Sequence, residues 1–107
     1  MTSTQEIARE FIFDFFEELI KISDNQQEVD YIKTNNPSND RQIAEIFSIE
    51  SFGSEFIASM TYWVSSPNIH MSTSFSIENP EGEMEYRETD SFVDLLNIFN
   101  ALKKEQS

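Results

Sequence analysis

Apolar positions at the start of the chain recur in adjacent pairs four residues apart: Ile7-Ala8, Phe11-Ile12, Phe15-Phe16 and Leu19-Ile20. At about 100° per residue the pairs share one broad face. Arg9, Glu10, Asp14, Glu17 and Lys21 fall away from it, which predicts an amphipathic helix over residues 4–22. Ser3 followed three residues later by Glu6 has the form of a capping box at its start. Residues 24–33 carry a weak signal for a short second helix around Val29 and Ile32, and 34–40, rich in Asn, Ser and Pro, reads as a loop.

From Arg41 the period changes to two. Residues 43–50 read as a strand, followed by a turn at Phe52-Gly53-Ser54. Phe56, Ala58, Met60, Tyr62 and Val64 then alternate with Glu55, Ile57, Ser59, Thr61 and Trp63. After a turn at 65–68, Ile69, Met71, Thr73, Phe75 and Ile77 alternate with His70, Ser72, Ser74 and Ser76. Asn79-Pro80-Glu81-Gly82 is a further turn, and Met84 and Tyr86 mark a short fourth strand. Tight turns in succession imply an antiparallel meander, because parallel strands need crossovers of a dozen or more residues. A closing helix carries Phe92, Leu95, Leu96, Phe99 and Leu102 on one side, with Thr89 or Asp90 as its cap and Lys103 and Lys104 in its last turn. The pattern predicts an α+β fold: N-terminal helix, four-stranded antiparallel meander and C-terminal helix in a two-layer sandwich, one domain over residues 1–107.

Charge changes this picture most. Twenty acids against seven bases give a net charge of −13. Such a balance disfavours nucleic acids and anionic membranes as direct ligands and favours a basic protein, drawn in by electrostatic steering. The distribution is uneven. No Lys or Arg lies between Gln42 and Tyr86, a span holding Glu45, Glu50, Glu55, Glu78, Glu81, Glu83 and Glu85. The densest run is Glu78, Glu81, Glu83, Glu85, Glu88, Asp90 and Asp94, with Arg87 as its one cation. Carboxylates at i and i+2 of a strand stand about 6.6 Å apart, roughly twice the rise per nucleotide of one DNA strand. An acidic edge so spaced suits the Lys/Arg-lined groove of a nucleic-acid-binding protein. The plainer reading is a charged surface that keeps a Phe-rich domain in solution and blunts a sheet edge. Acid excess also marks halophilic proteins, against which the Ile, Phe and Asn content argues.

Little here points to catalysis. Neither Gly53 nor Gly82 opens a phosphate-binding loop, and the chain has no cysteine for a thiolate, disulfide or metal site. His70, the lone histidine, sits on the polar side of its strand without a nucleophile near it in sequence. A cation held by Glu81, Glu83 and Glu85 lacks the pattern of a calcium loop. The expectation is a non-enzyme with no cofactor and no metal. The N-terminus shows no signal peptide and no segment reads as a membrane span, which suits a cytoplasmic protein, or the host cytoplasm for a phage product.

Phe13 lies far from the centre of the first helix's apolar face, and Trp63 and Ile57 fall opposite Phe56, Met60 and Tyr62. Either both sheet faces, or a wider helix face, are covered inside the domain, with one helix on each sheet face as one way to do so, or these residues are anchors for a partner, including a second copy of the chain. In type, the compact acidic helix–sheet–helix pattern resembles several groups of bacterial and phage inhibitors, anti-CRISPR and other anti-defence proteins among them, some of which mimic DNA. That resemblance implies a monomeric or dimeric inhibitor blocking a basic nucleic-acid-binding surface. An immunity or antitoxin protein masking a basic toxin shares the same electrostatics. An acidic, dimeric secretion chaperone would use exposed apolar residues instead. The expected partner-binding residues are Glu78, Glu81, Glu83, Glu85, Glu88, Asp90, Asp94, Phe13 and Trp63.

Overall fold

The computed structural model describes residues 3–36, 41–65, 68–89 and 91–106. Its elements run α1 (Thr4–Lys21), β1 (Asp30–Asn36), β2 (Gln42–Ser51), β3 (Ser54–Trp63), β4 (Ile69–Glu78), β5 (Met84–Thr89) and α2 (Phe92–Gln106). The strands form one antiparallel sheet in chain order, β1 to β5. The predicted α+β meander between two helices is therefore present, with five strands rather than four.

The additional strand lies where a short helix and part of a loop are expected. Asp30–Asn36 pairs along its whole length with β2, from Asp30 opposite Ser48 to Asn36 opposite Gln42. Ladder hydrogen bonds to a formed neighbour outweigh the weak local helical signal at Val29 and Ile32. Residues 37–40 of the expected loop lie outside the described residues.

Local chemistry explains the element ends. Ser3 Oγ accepts the Glu6 backbone N–H at 3.1 Å, capping α1. Ser91, rather than Thr89, caps α2: its Oγ accepts the Asp94 N–H at 3.3 Å and its carbonyl the Leu95 N–H at 3.2 Å. Asp90, the other expected cap, lies outside the described residues. The β2–β3 hairpin closes through Phe52 and Gly53 with φ of 53° and 75°. Both values are positive, as a two-residue type I′ turn requires. A phenylalanine strains such a turn, and its surroundings hold it there: its N–H donates to Asp24 Oδ1 at 3.2 Å and its ring lies 5.2 Å from Phe99.

The sheet register sorts the side chains into two faces. Phe47 and Ile49 of β2, Phe56, Ala58, Met60 and Tyr62 of β3, and Met71 and Phe75 of β4 share one face. Ile12, Phe16 and Leu19 of α1 and Leu95 and Phe99 of α2 are buried in the same core. The helices also meet each other, Phe11 and Phe15 each placing a ring 5.0 Å from Phe92. Both helices thus cover one sheet face, as the two-layer sandwich requires, and the alternative of one helix on each face is not met. The other face carries Ile32, Ile46, Ile57 and Trp63 among Ser48, Ser59, Thr61, Ser72 and Ser74, and no described helix packs on it.

Phe99 is fully buried and joins α2 to both Phe52 and Phe56. Phe99→Ala should lower the unfolding free energy by about 3–5 kcal/mol, read from urea or guanidinium titration.

Candidate functional site

One acidic side chain departs from the surface pattern. Glu45 of β2 occupies the inward register between Ile43 and Phe47 and is 0% exposed, the one carboxylate buried among the described residues. An ionised carboxylate there is tolerated only with partners on both oxygens. Arg9 of α1 supplies a bidentate clamp: Nε donates to Oε1 at 2.6 Å and Nη2 to Oε2 at 2.8 Å. The Tyr62 hydroxyl donates to Oε2 at 2.5 Å and the Tyr31 hydroxyl to Oε1. Four elements, α1, β1, β2 and β3, therefore meet at one carboxylate.

The titration of these groups follows from the same contacts. Burial alone would push the Glu45 carboxyl up, but hydrogen bonds from Arg9, Tyr31 and Tyr62 outweigh it and hold the group at about 2. Arg9 is raised by its hydrogen bonds to Glu45. Tyr62 is pushed up to about 12 by burial and by donating to Glu45, and Tyr31 rises for the same two reasons. Glu45 and Arg9 stay ionised at neutral pH, both tyrosines keep the protons that they donate, and the carboxylate has partners on both oxygens within the chain, so the cluster is built to hold the fold together. Glu45, expected among the uncompensated acids of the strand region, is instead neutralised by Arg9.

The remaining acids of the run gather at the sheet's other end. Glu78 ends β4, Glu81 and Glu83 lie in the hairpin turn, Glu85 and Glu88 are on β5, and all five are exposed. Asn79 shapes the turn: its Oδ1 accepts the N–H of Glu81 at 3.1 Å and of Glu83 at 2.8 Å, and its Nδ2 donates to Glu85 Oε1 at 3.1 Å. Gly82, with φ of 85°, supplies the left-handed residue that the turn needs. The acids do not line one face. Glu78 and Glu88 share the uncovered face with Met84 and Tyr86, whereas Glu85 and Arg87 point to the helix side, 3.8 Å from each other. Asp94, half-buried in the first turn of α2, lies with Arg87 around a concavity of about 370 Å³. The acids wrap an edge, and Asp90 lies outside the described residues.

Tyr86 extends this acidic zone inward. It stands opposite Ser76, and its hydroxyl donates to Glu55 Oε1 at 3.0 Å, an attachment that raises the Tyr86 hydroxyl above its ordinary value. Beneath it Ser76 is buried and accepts the Glu55 N–H at 2.6 Å, which explains why a residue of the expected polar face is enclosed. Glu50 lies directly across from Glu55, so like charges face each other on the uncovered side.

The expected apolar anchors separate. Phe13 packs edge-on against Phe47 at 4.9 Å and tilts over Tyr31 at 5.6 Å, so it belongs to the covered face, beside the Glu45 cluster. The helix's apolar face is simply wider than its central stripe. Trp63 lies half-buried on the uncovered face, opposite Gln42. His70 is exposed on that face, opposite Thr61. A separate apolar groove of about 410 Å³ between α1, β4 and α2 is lined by Ile7, Phe11, Ile69, Met71 and Phe92 with Thr4 and Ala8, none of them titratable. Among the described residues no three His, Asp or Glu side chains converge as a metal site would require, and no helix is long and apolar enough to cross a membrane.

Comparison of the chain with protein-family models, with curated proteins and with solved structures gave no match.

The Glu45 cluster makes a pH prediction whose sign is fixed. Its folded carboxyl titrates near 2 against an ordinary value of 4.5, so the stabilisation is complete above about pH 4.5 and vanishes as pH falls through 2. Its size is roughly 3 kcal/mol. In urea titrations, wild type should exceed Glu45→Gln in stability at pH 6, and the gap should close steadily between pH 4.5 and 2. A gap independent of pH would contradict the assignment.

Proposed function

We propose that this chain is an acidic binding protein that occupies a basic, nucleic-acid-binding surface of a protein partner through the β4–β5 edge. The observation that carries the reading is the unmixed charge of that edge. Glu78, Glu81, Glu83, Glu85 and Glu88 are exposed together with Arg87 as the one base of the run. A mixed surface would serve solubility as well, whereas a one-signed field attracts a cationic partner and repels polyanions.

The partner class that fits is an enzyme whose groove normally holds a nucleic-acid backbone, a defence nuclease in the anti-CRISPR-like reading, with a phage or mobile element as the source. A basic toxin would be engaged by the same field. Any mimicry of phosphates follows the edge, where acids alternate between two sides, and not a single flat face. The uncovered sheet face supports one second reading. Ile32, 59% exposed, Ile46, Ile57 and Trp63 there suit a chaperone holding an apolar segment, whose binding would tolerate salt.

Affinity capture from the source cell, with the captured partner then assayed for DNA or RNA binding, tests the proposal. Wild type should displace nucleic acid from the partner and lose affinity by roughly tenfold or more between low and physiological salt. The triple reversal of Glu81, Glu83 and Glu85 to Lys should abolish capture. Capture that survives both the reversal and high salt sinks the acidic-edge reading and favours the apolar face.

A further inference from the structure

We infer that β5 is an open docking edge that takes an extended, basic segment of the partner as a sixth strand. This rests on the acidic-edge reading and adds to it the form in which the partner binds. The hydrogen-bond parity of the last hairpin sets the argument. The Asn79 N–H donates to the Glu83 carbonyl at 2.8 Å, so this pair is hydrogen-bonded and the pairing alternates along the ladder from it. Ile77 with Glu85, Phe75 with Arg87 and Thr73 with Thr89 are then the pairs that exchange backbone bonds. The N–H and C=O groups of Met84, Tyr86 and Glu88 must point away from β4.

β5 ends the sheet, so among the described residues no further strand covers those groups. All three residues are exposed. They form a strand-length row of alternating donors and acceptors, the template on which strand addition works. The side chains along the row say what it accepts. Met84 and Tyr86 present apolar surface on the uncovered side, with Glu78 and Glu88 beside them, and Glu85 flanks the row on the helix side. A second copy of this edge is disfavoured because Glu85 and Glu88 would face their own kind. A strand whose apolar residues meet Met84 and Tyr86 turns its alternate, basic residues to the helix side, where Glu85 stands beside Arg87, and a terminal Lys or Arg on the uncovered side reaches Glu88. The opposite edge is a poorer template for a cation. β1 carries Lys33 at its centre and commits Tyr31 to Glu45.

The probe is a fluorescein-labelled peptide of about eight residues alternating Lys and Val, matched to ordinary strand length. Its control is the same peptide with the interior amides N-methylated, which keeps charge and removes backbone donors. Met84→Pro is the protein-side control. It retains every carboxylate and deletes an outward N–H, which an edge strand tolerates, and Met84→Ala, which keeps that N–H, separates the loss of the Met84 side chain. By fluorescence anisotropy at fixed low salt, N-methylation and Met84→Pro should each weaken binding by roughly tenfold or more. Equal binding by both peptides, to wild type and variant alike, overturns strand addition while leaving the acidic-edge reading intact. Absence of binding by the unmodified peptide also overturns it. The acidic-edge reading fails separately, when reversal of Glu81, Glu83 and Glu85 leaves partner capture unchanged. The methylated peptide keeps the test decisive should Met84→Pro fail to fold.

Discussion

The structure depends on a charge placed where charge is least welcome. Glu45 sits at 0% exposure in the inward register of β2, and its ionised form survives there because Arg9 clamps both oxygens while Tyr31 and Tyr62 fill the remaining acceptor sites. Swapping such a cluster for apolar residues is often neutral in energy, but stripping one member from it is not. Its effect is on geometry. A planar guanidinium meeting a carboxylate in two-point fashion admits one distance and one orientation, so α1 cannot slide or roll across the sheet without breaking the pair. Through the tyrosines the same carboxylate fixes β1 and β3 to β2. Phe13 lies over Tyr31 and Phe47 beside the cluster.

With α1 held there, α2 fills the rest of the same face, and the asymmetry of the molecule follows. One sheet face is a Phe-rich core, and the other, which no described helix covers, carries isoleucines and Trp63 among small hydroxyl residues. Charge is divided in the same manner. The acid nearest the core is cancelled by Arg9, whereas those of the β4–β5 hairpin have only Arg87 among them. Neutralisation inside and accumulation at one edge give a molecule of net charge −13 a direction. A binding role for the edge uses that direction, and the unpaired backbone of β5 lies within it.

Much of the architecture was legible from periodicity. α1 repeats its apolar pairs for four turns, and β3 and β4 alternate, as β2 does apart from Glu45 and Ile46, because each has one face in a core and one outside it. β1 gave no such signal. As an edge strand it turns Tyr31, Lys33 and Asn35 inward and Asp30, Ile32 and Thr34 outward, so both faces mix polar and apolar residues and nothing alternates. Helix placement was also beyond the pattern, since an amphipathic helix does not say which face of a sheet it covers. The acidic run was plain in the sequence, but its division between two sides of an edge needed the register. Glu45 is the instructive case. Its position in the series Ile43, Glu45, Phe47, Ile49 puts an acid where the alternation demands an apolar residue. That conflict signals a buried carboxylate in need of a cation, and Arg9 on the facing helix was available to meet it.

A double-mutant cycle on Arg9 and Glu45 tests the central claim most directly. Arg9→Met and Glu45→Leu should each lower the unfolding free energy at neutral pH by about 3–5 kcal/mol, since each leaves a charged or polar partner unmatched. The double variant should regain at least about 2 kcal/mol relative to their sum, because the two losses are one interaction counted twice. Losses that simply add, within a few tenths of a kcal/mol, would mean that α1 is held by its apolar face alone and that the carboxylate is not the constraint on which the fold depends.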